Sequence, residues 1–128
     1  MSVMASCTLP KSALIRKPGE YRRIYAQGRR VRGDSFALVY RMATSTVGAR
    51  LGISVSGVKS AVRRNRIKRI IRELFRLNRP GLHPSLELVF TVRRDFKPGS
   101  PAAVAAALRR PITGRQELAG LSRAPGVG

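Results

Sequence analysis

Residues 63–76 place seven Arg or Lys side chains among fourteen positions, against one acid, Glu73. Cations at that density cannot all find the i,i+4 partners of an ordinary solvated helix, so their chemistry is that of a clamp for a polyanion. Guanidinium forks and ammonium groups bond phosphate oxygens and displace condensed counterions. At about 100° per residue, Ile67, Ile70, Ile71, Leu74 and Phe75 share one arc, and Asn65, Arg66, Lys68, Arg69, Arg72 and Arg76 share the other. One face is expected to pack and the other to bind. Arg63 and Arg64 fall above the apolar arc, which predicts a first turn that projects past the core, free to meet a partner. The unpaired N–H groups of a helix start add to its pull on phosphate.

Bond-making chemistry is poorly supplied. The single histidine, His83, lies in the loop between Pro80 and Pro84, and a lone loop histidine is far more often surface decoration than a catalyst. The six acids, Glu20, Asp34, Glu73, Glu87, Asp95 and Glu117, show no spacing that converges on a divalent ion. Walker-type and paired-glycine loops are absent, and Cys7 has no second cysteine for a disulfide or a thiolate site. The polypeptide is therefore expected to contribute no catalytic residue and no metal site. Binding chemistry is richer. Tyr21, Tyr25, Phe36 and Tyr40 stand near basic residues, the combination that stacks unpaired bases while holding their phosphates. Tyr21 and Tyr25, four residues apart, suit a core or a stacking surface equally, since tyrosine packs its ring and keeps its hydroxyl wet. For Phe36 the core is favoured.

These side chains need a scaffold, and 128 residues with 43% apolar content suffice for one domain with a real core. A formal charge of +20 repels itself unless an anionic partner neutralises it. No apolar run approaches the roughly 20 residues that span a bilayer, and the first ten residues do not form a secretory signal, so a cytoplasmic protein without a membrane partner is expected. Residues 20–27 read as a short helix after Pro18 and Gly19, closed by Gly28. Residues 36–40 alternate as a strand. In residues 51–56, Leu51, Ile53 and Val55 alternate with Gly52, Ser54 and Ser56, a half-buried strand whose small polar face leaves room for a ligand. The basic helix follows Gly57 and stops at the turn Asn78-Arg79-Pro80-Gly81. Leu86, Leu88, Phe90 and Val92 then mark a strand that returns to the same sheet as a βαβ step. Ser100 as N-cap and Pro101 at the first helical position open an alanine-rich helix that Pro111 ends. Residues 1–13 are expected to be flexible and 111–128 disordered, leaving 14–110 as the domain.

The pattern Ala61-Val62-x-Arg64-Asn65-Arg66-x-Lys68-Arg69-x-x-Arg72-Glu73 closely resembles the basic signature of the bacterial ribonuclease P protein family. Glu20-Tyr21-Arg22-Arg23-Ile24-Tyr25-x-x-Gly28 is similar to that family's aromatic first helix. Leu51-Gly52-Ile53-Ser54-Val55-Ser56 is similar to its strand before the basic helix, and residues 88–93 to its last strand and the basic residue after it, here Arg93. The resemblance implies an α+β fold: a single αβββαβα domain with a small mixed sheet, like the second domain of ribosomal protein S5. It further implies a left-handed βαβ crossover, against the usual hand. It also implies a function as accessory subunit of an endoribonuclease, in which a catalytic RNA and its Mg²⁺ ions remove the 5′ leader of precursor tRNA. The implied partners are that RNA and precursor tRNA, and no cofactor is implied for the protein alone. Carried over, Arg63, Arg64, Asn65, Arg66, Lys68, Arg69 and Arg72 bind RNA, and Tyr21, Tyr25, Phe36 and Tyr40 line a cleft for the leader. The loop Gly57-Val58-Lys59-Ser60 departs from the family's Ser-Lys-Lys-type stretch, being one residue shorter with one basic residue fewer, and Lys59 is the residue to replace the lost contact.

Two other classes fit the charge and size. A small ribosomal or ribosome-assembly protein shares the basic composition without needing the strand-loop-basic-helix order. A DNA-binding regulator would flank its recognition helix with another helix rather than with strands.

Overall fold

The computed structural model describes residues 9–44, 48–97 and 99–122. Helix α1 (Pro18–Gln27) precedes strands β1 (Arg29–Arg32), β2 (Phe36–Met42) and β3 (Arg50–Val55), followed by α2 (Ala61–Asn78), β4 (Leu86–Val92) and α3 (Pro101–Arg109). This is the αβββαβα order that the resemblance implies. The strands form one mixed sheet in the order β1-β2-β4-β3. β2 is antiparallel to β1 and β4, whereas β3 and β4 run parallel from Arg50↔Glu87 to Val55↔Val92. Parallel neighbours need a crossover, and α2 supplies it.

The strand period of two divides the core between the sheet's two faces. Phe36, Leu38 and Tyr40 of β2 join Leu88, Phe90, the apolar face of α2 and Val104, Ala105 and Leu108 of α3 in the main core. Val39 and Val89 point the other way and pack with Ile15 and Ile24, with Tyr21 and Tyr25 alongside. α2 buries Ile67, Ile70, Ile71, Leu74 and Phe75, the five residues whose spacing marks its apolar arc. Its start is fixed by Ser60, whose hydroxyl accepts from the Arg63 N–H at 3.2 Å. Ser100 caps α3 in the same way, accepting from Ala103 N–H at 3.1 Å, with Pro101 next to it.

β1 is absent from the periodicity reading, because Arg29-Arg30-Val31-Arg32 holds a single apolar side chain and makes a strand only by pairing with β2. α1 also begins earlier than residue 20, with Pro18 in its first turn, where a missing N–H costs nothing. The ordered domain runs past residue 110. Ile112, Leu118 and Leu121 are buried in the main core, and residues Gln116–Ser122 form a 3-10 helix against α2 and α3. Apolar side chains at these three positions supply what a disordered tail lacks. At the other end, Lys11–Ala13 make a 3-10 turn, Ala13 is buried, and Leu14 bridges to Leu51. The rest of the expected flexible ends, residues 1–8 and 123–128, lies outside the described residues.

An ion-pair cluster fastens α1 to the sheet. Arg50 Nη1 lies 2.9 Å from Glu20 Oε2 and 3.2 Å from Glu87 Oε2, and Glu87 also pairs with Arg41. The hydrogen bond from Arg50 holds the Glu20 carboxyl below its ordinary range, against the opposing cost of burial. A lowered carboxylate contributes stability at neutral pH that is lost as pH falls through its folded value.

Candidate nucleic-acid interface

The outer face of α2 is the first part of the site. Arg63, Asn65, Arg66, Arg69 and Arg72 are exposed, and Arg64 and Lys68 are partly so. Arg66, Lys68, Arg69 and Arg72 have no side-chain partner among the described residues. Arg76 differs: its Nε donates to Glu73 Oε1 at 3.0 Å, and that pair holds the Glu73 carboxyl below its usual range. The helix therefore presents four uncompensated cations along its solvent side. Val62, 78% exposed between Ala61 and Arg63, adds an apolar contact point beside them.

The first turn is less free than its position on the wheel suggests. Arg64 Nη1 donates to the carbonyls of Val58 at 2.8 Å and Lys59 at 3.0 Å, bracing the loop that leads into the helix. Arg63 Nη2 reaches the Arg94 carbonyl at 3.4 Å. A guanidinium placed above the apolar arc has these carbonyls within reach, so Arg64 is a brace as well as a candidate contact. Within the same loop, Gly57 has φ +79°, a left-handed conformation that a side chain resists, and an added Cβ would lie 3.2 Å from Arg94 Cβ. Lys59 is exposed just ahead of the Ser60 cap, next to the α2 cations.

The second part lies on the α1 face of the sheet. Tyr21 is an anchor there. Its hydroxyl donates to the Ile15 carbonyl at 3.1 Å and accepts from the Ile53 N–H at 3.2 Å. Burial pushes that hydroxyl's pKa up. The ring occupies the space that Gly52 leaves, since a Cβ at Gly52 would come within 2.9 Å of it. Tyr25 is the half-buried partner, with its ring centroid 6.4 Å from that of Tyr21. Its hydroxyl is 3.5 Å from Thr91 Oγ1, and the Arg30 guanidinium sits 5.9 Å from its ring centroid. Tyr25, Arg30, Arg32, Ala37, Thr91 and Arg93 line a hollow of about 460 Å³. An aromatic ring, a small polar floor and three guanidinium groups are the parts that hold a single strand by stacking and phosphate contact.

The four aromatics named from the sequence do not converge. Tyr40 is 2% exposed in the main core on the opposite face, and its hydroxyl accepts from Arg115 Nη1 at 3.0 Å. Phe36 is buried in the same core, its ring 5.5 Å from Phe90 and 5.6 Å from Phe96, and it meets the Tyr25 hollow only at its margin. The alternation of β2 turns both away from α1, so Tyr40 leaves the expected cleft and Phe36 belongs chiefly to the core. Arg30, Arg32 and Thr91 are residues that the sequence alone did not single out, and Arg93 stood out only as the basic residue after the last strand, without a place in the cleft. For Arg30 and Arg32 the available signal was the run Arg29-Arg30-Val31-Arg32 between Gly28 and Gly33, but its face could be assigned only once β1 was paired with β2.

Among the described residues no group of three or more His, Cys, Asp or Glu side chains is placed to hold a metal ion. His83 Nδ1 accepts from the Ser85 N–H at 3.0 Å, a local turn contact. No described helix is long and apolar enough to cross a membrane.

The ribonuclease P family model matches residues 9–114. The ribonuclease P protein component of Desulfotalea psychrophila is 47% identical over 97 residues, covering 75% of this chain and 80% of that protein. That of Syntrophus aciditrophicus is 40% identical over 91 residues, covering 70% and 76%. Of solved structures, the RNase P protein of Staphylococcus aureus superposes with a TM-score of 0.67 at 28% identity, covering 80% of this chain and 94% of that one. The RNase P protein from Thermotoga maritima gives a TM-score of 0.57 at 28% identity, covering 62% and 73%.

Proposed function

The chain belongs to the ribonuclease P protein family, and from that premise we propose that it is the protein subunit of a ribonuclease P that removes the 5′ leader of precursor tRNA. The outer face of α2 binds the catalytic RNA, and the hollow beside Tyr25 holds the single-stranded leader. The observation that carries this reading is the pairing state of the cations: Arg66, Lys68, Arg69 and Arg72 stand exposed or half-exposed with no partner among the described residues, while Arg50, Arg41 and Arg76 are neutralised by carboxylates. Unpaired guanidinium groups retain all their donors for phosphate.

In this reading, cleavage of the phosphodiester belongs to the RNA and its Mg²⁺ ions. The protein's side chains bind, orient and screen. The two surfaces lie on different sides of the sheet, so one domain can hold enzyme RNA and substrate strand together, which fits work in the cytoplasm on newly made tRNA precursors.

Tyr25 and Tyr21 separate the roles of the two rings. In the reconstituted holoenzyme, Tyr25→Ala is expected to weaken binding of leader-bearing precursor by about 1 to 3 kcal/mol, the worth of one stacked base. Affinity for leaderless mature tRNA should be unchanged. Tyr21→Phe, which keeps the ring and removes only the hydroxyl bonds, should lower the melting temperature and leave the leader preference intact. Equal loss for both tRNA ligands in Tyr25→Ala would contradict the assignment.

A further inference from the structure

The largest hollow among those described adjoins the Tyr25 hollow but is otherwise lined by residues with no role assigned above. It is a groove of about 720 Å³ between the turn that joins β1 to β2, the loop after β4 and the outer side of α3. Its apolar wall consists of Phe36 and Phe96, both buried, with the exposed methyl groups of Ala103 and Ala107. Arg32, Lys97 and Arg110 also line it, all exposed and without partners among the described residues. Arg32, Gly33 and Phe36 line both this groove and the Tyr25 hollow. The two therefore adjoin at the end of the β1–β2 hairpin.

We propose that the groove takes the 5′-distal nucleotides of the same single strand whose tRNA-proximal part lies against Tyr25, a proposal that rests on the leader reading given above. The shared wall gives the path, since a strand leaving the Tyr25 hollow past Arg32 and Gly33 reaches the groove next. Charge gives the occupant: Arg32, Lys97 and Arg110 offer successive donors to a phosphate backbone, and an apolar wall with aromatic edges accepts a base. Asp34 and Asp95 lie in the same lining. Their carboxylates repel phosphate and accept from exocyclic amino groups, so the bases face the aspartates while the backbone follows the cations. This also favours adenine, cytosine or guanine over uracil, which has no exocyclic amino group and can donate only its ring N3–H.

A series of precursor tRNAs with leaders from a few to about 16 nucleotides, a range spanned by single-domain strand sites, tests the proposal in the reconstituted holoenzyme. The distal nucleotides of the probes are adenine and cytosine. Affinity is expected to rise by about 5- to 150-fold once the leader is long enough to enter the groove, the equivalent of one stacked base. Lys97→Ala with Arg110→Ala should abolish that rise and leave short leaders unaffected. Ala107→Leu, which fills the groove from an exposed helix position, should do the same without lowering the melting temperature. Tyr25→Ala should weaken short and long leaders alike. A length series with no second rise, or groove variants that lower affinity for the catalytic RNA without substrate, would overturn the distal path while leaving the Tyr25 result intact. Indifference of Tyr25→Ala to every leader would instead overturn the leader reading, and the groove with it.

Discussion

Raising monovalent salt from 50 to 200 mM is expected to weaken binding of the protein to ribonuclease P RNA by about 250- to 1000-fold. The figure comes from counting the exposed or half-exposed cations at the interface. Arg63, Arg66, Lys68, Arg69 and Arg72 on α2, with Lys59 just before it, are the six that neither brace the entry loop as Arg64 does nor pair with a carboxylate as Arg76 does, and each is expected to make one phosphate contact. Each contact releases condensed counterion, so six imply a slope of log K against log salt of roughly −4 to −5. Arg66→Ala should lower affinity and reduce the slope by about one unit. Arg76→Ala should reduce it less, because Glu73 already holds that guanidinium. Salt titrations monitored by filter binding or fluorescence anisotropy give both quantities. A flat titration would contradict phosphate neutralisation as the source of affinity.

The second large effect separates the two faces of α2. Leu74→Ala, at a position 1% exposed in the main core, is expected to cost about 2 to 5 kcal/mol of stability through lost burial and the cavity left behind. Arg69→Ala, on the exposed side, should stay within about 0.5 kcal/mol of the parent protein in stability and lose affinity for RNA. Urea unfolding and RNA binding measured on both variants check the division. Comparable destabilisation by the two would mean that the cationic face supports the fold rather than a partner.

The packing half of this helix was legible in the sequence because its signal is local. Ile67, Ile70, Ile71, Leu74 and Phe75 are set by a 3.6-residue period that needs no knowledge of neighbours. The same holds for β4, whose alternation over Leu86–Val92 gave its bounds, and for the Ser100 and Pro101 start of α3. The hollow proposed for the leader was legible only in part, because it depends on pairings between distant segments. Tyr25 could be named as an aromatic near cations, but its neighbours Arg30, Arg32, Thr91 and Arg93 come from β1 and from the end of β4. β1 carries one apolar residue and exists through its register with β2. Tyr40 and Phe36 shared composition with Tyr21 and Tyr25 but not a face, and face assignment needed the register of β2 against β4. The C-terminal boundary was misplaced for a related reason. Leu118 and Leu121 sit in a Gly- and Arg-rich stretch with no regular period, and only the space between α2 and α3 gives them a place in the core.

The central claim, that this polypeptide acts with an RNA that carries the chemistry, is tested most directly by cleavage of precursor tRNA at low Mg²⁺. Three mixtures decide it: the protein alone, the cognate ribonuclease P RNA alone, and the two together. A net charge of +20 partly replaces the cations that otherwise screen repulsion between enzyme RNA and substrate, so the protein's benefit should be greatest where Mg²⁺ is scarce. The account predicts no product from the protein alone, little from the RNA alone, and cleavage at the mature 5′ end from the two together. Cleavage by the protein without RNA, or no stimulation of the RNA by the protein, would contradict it.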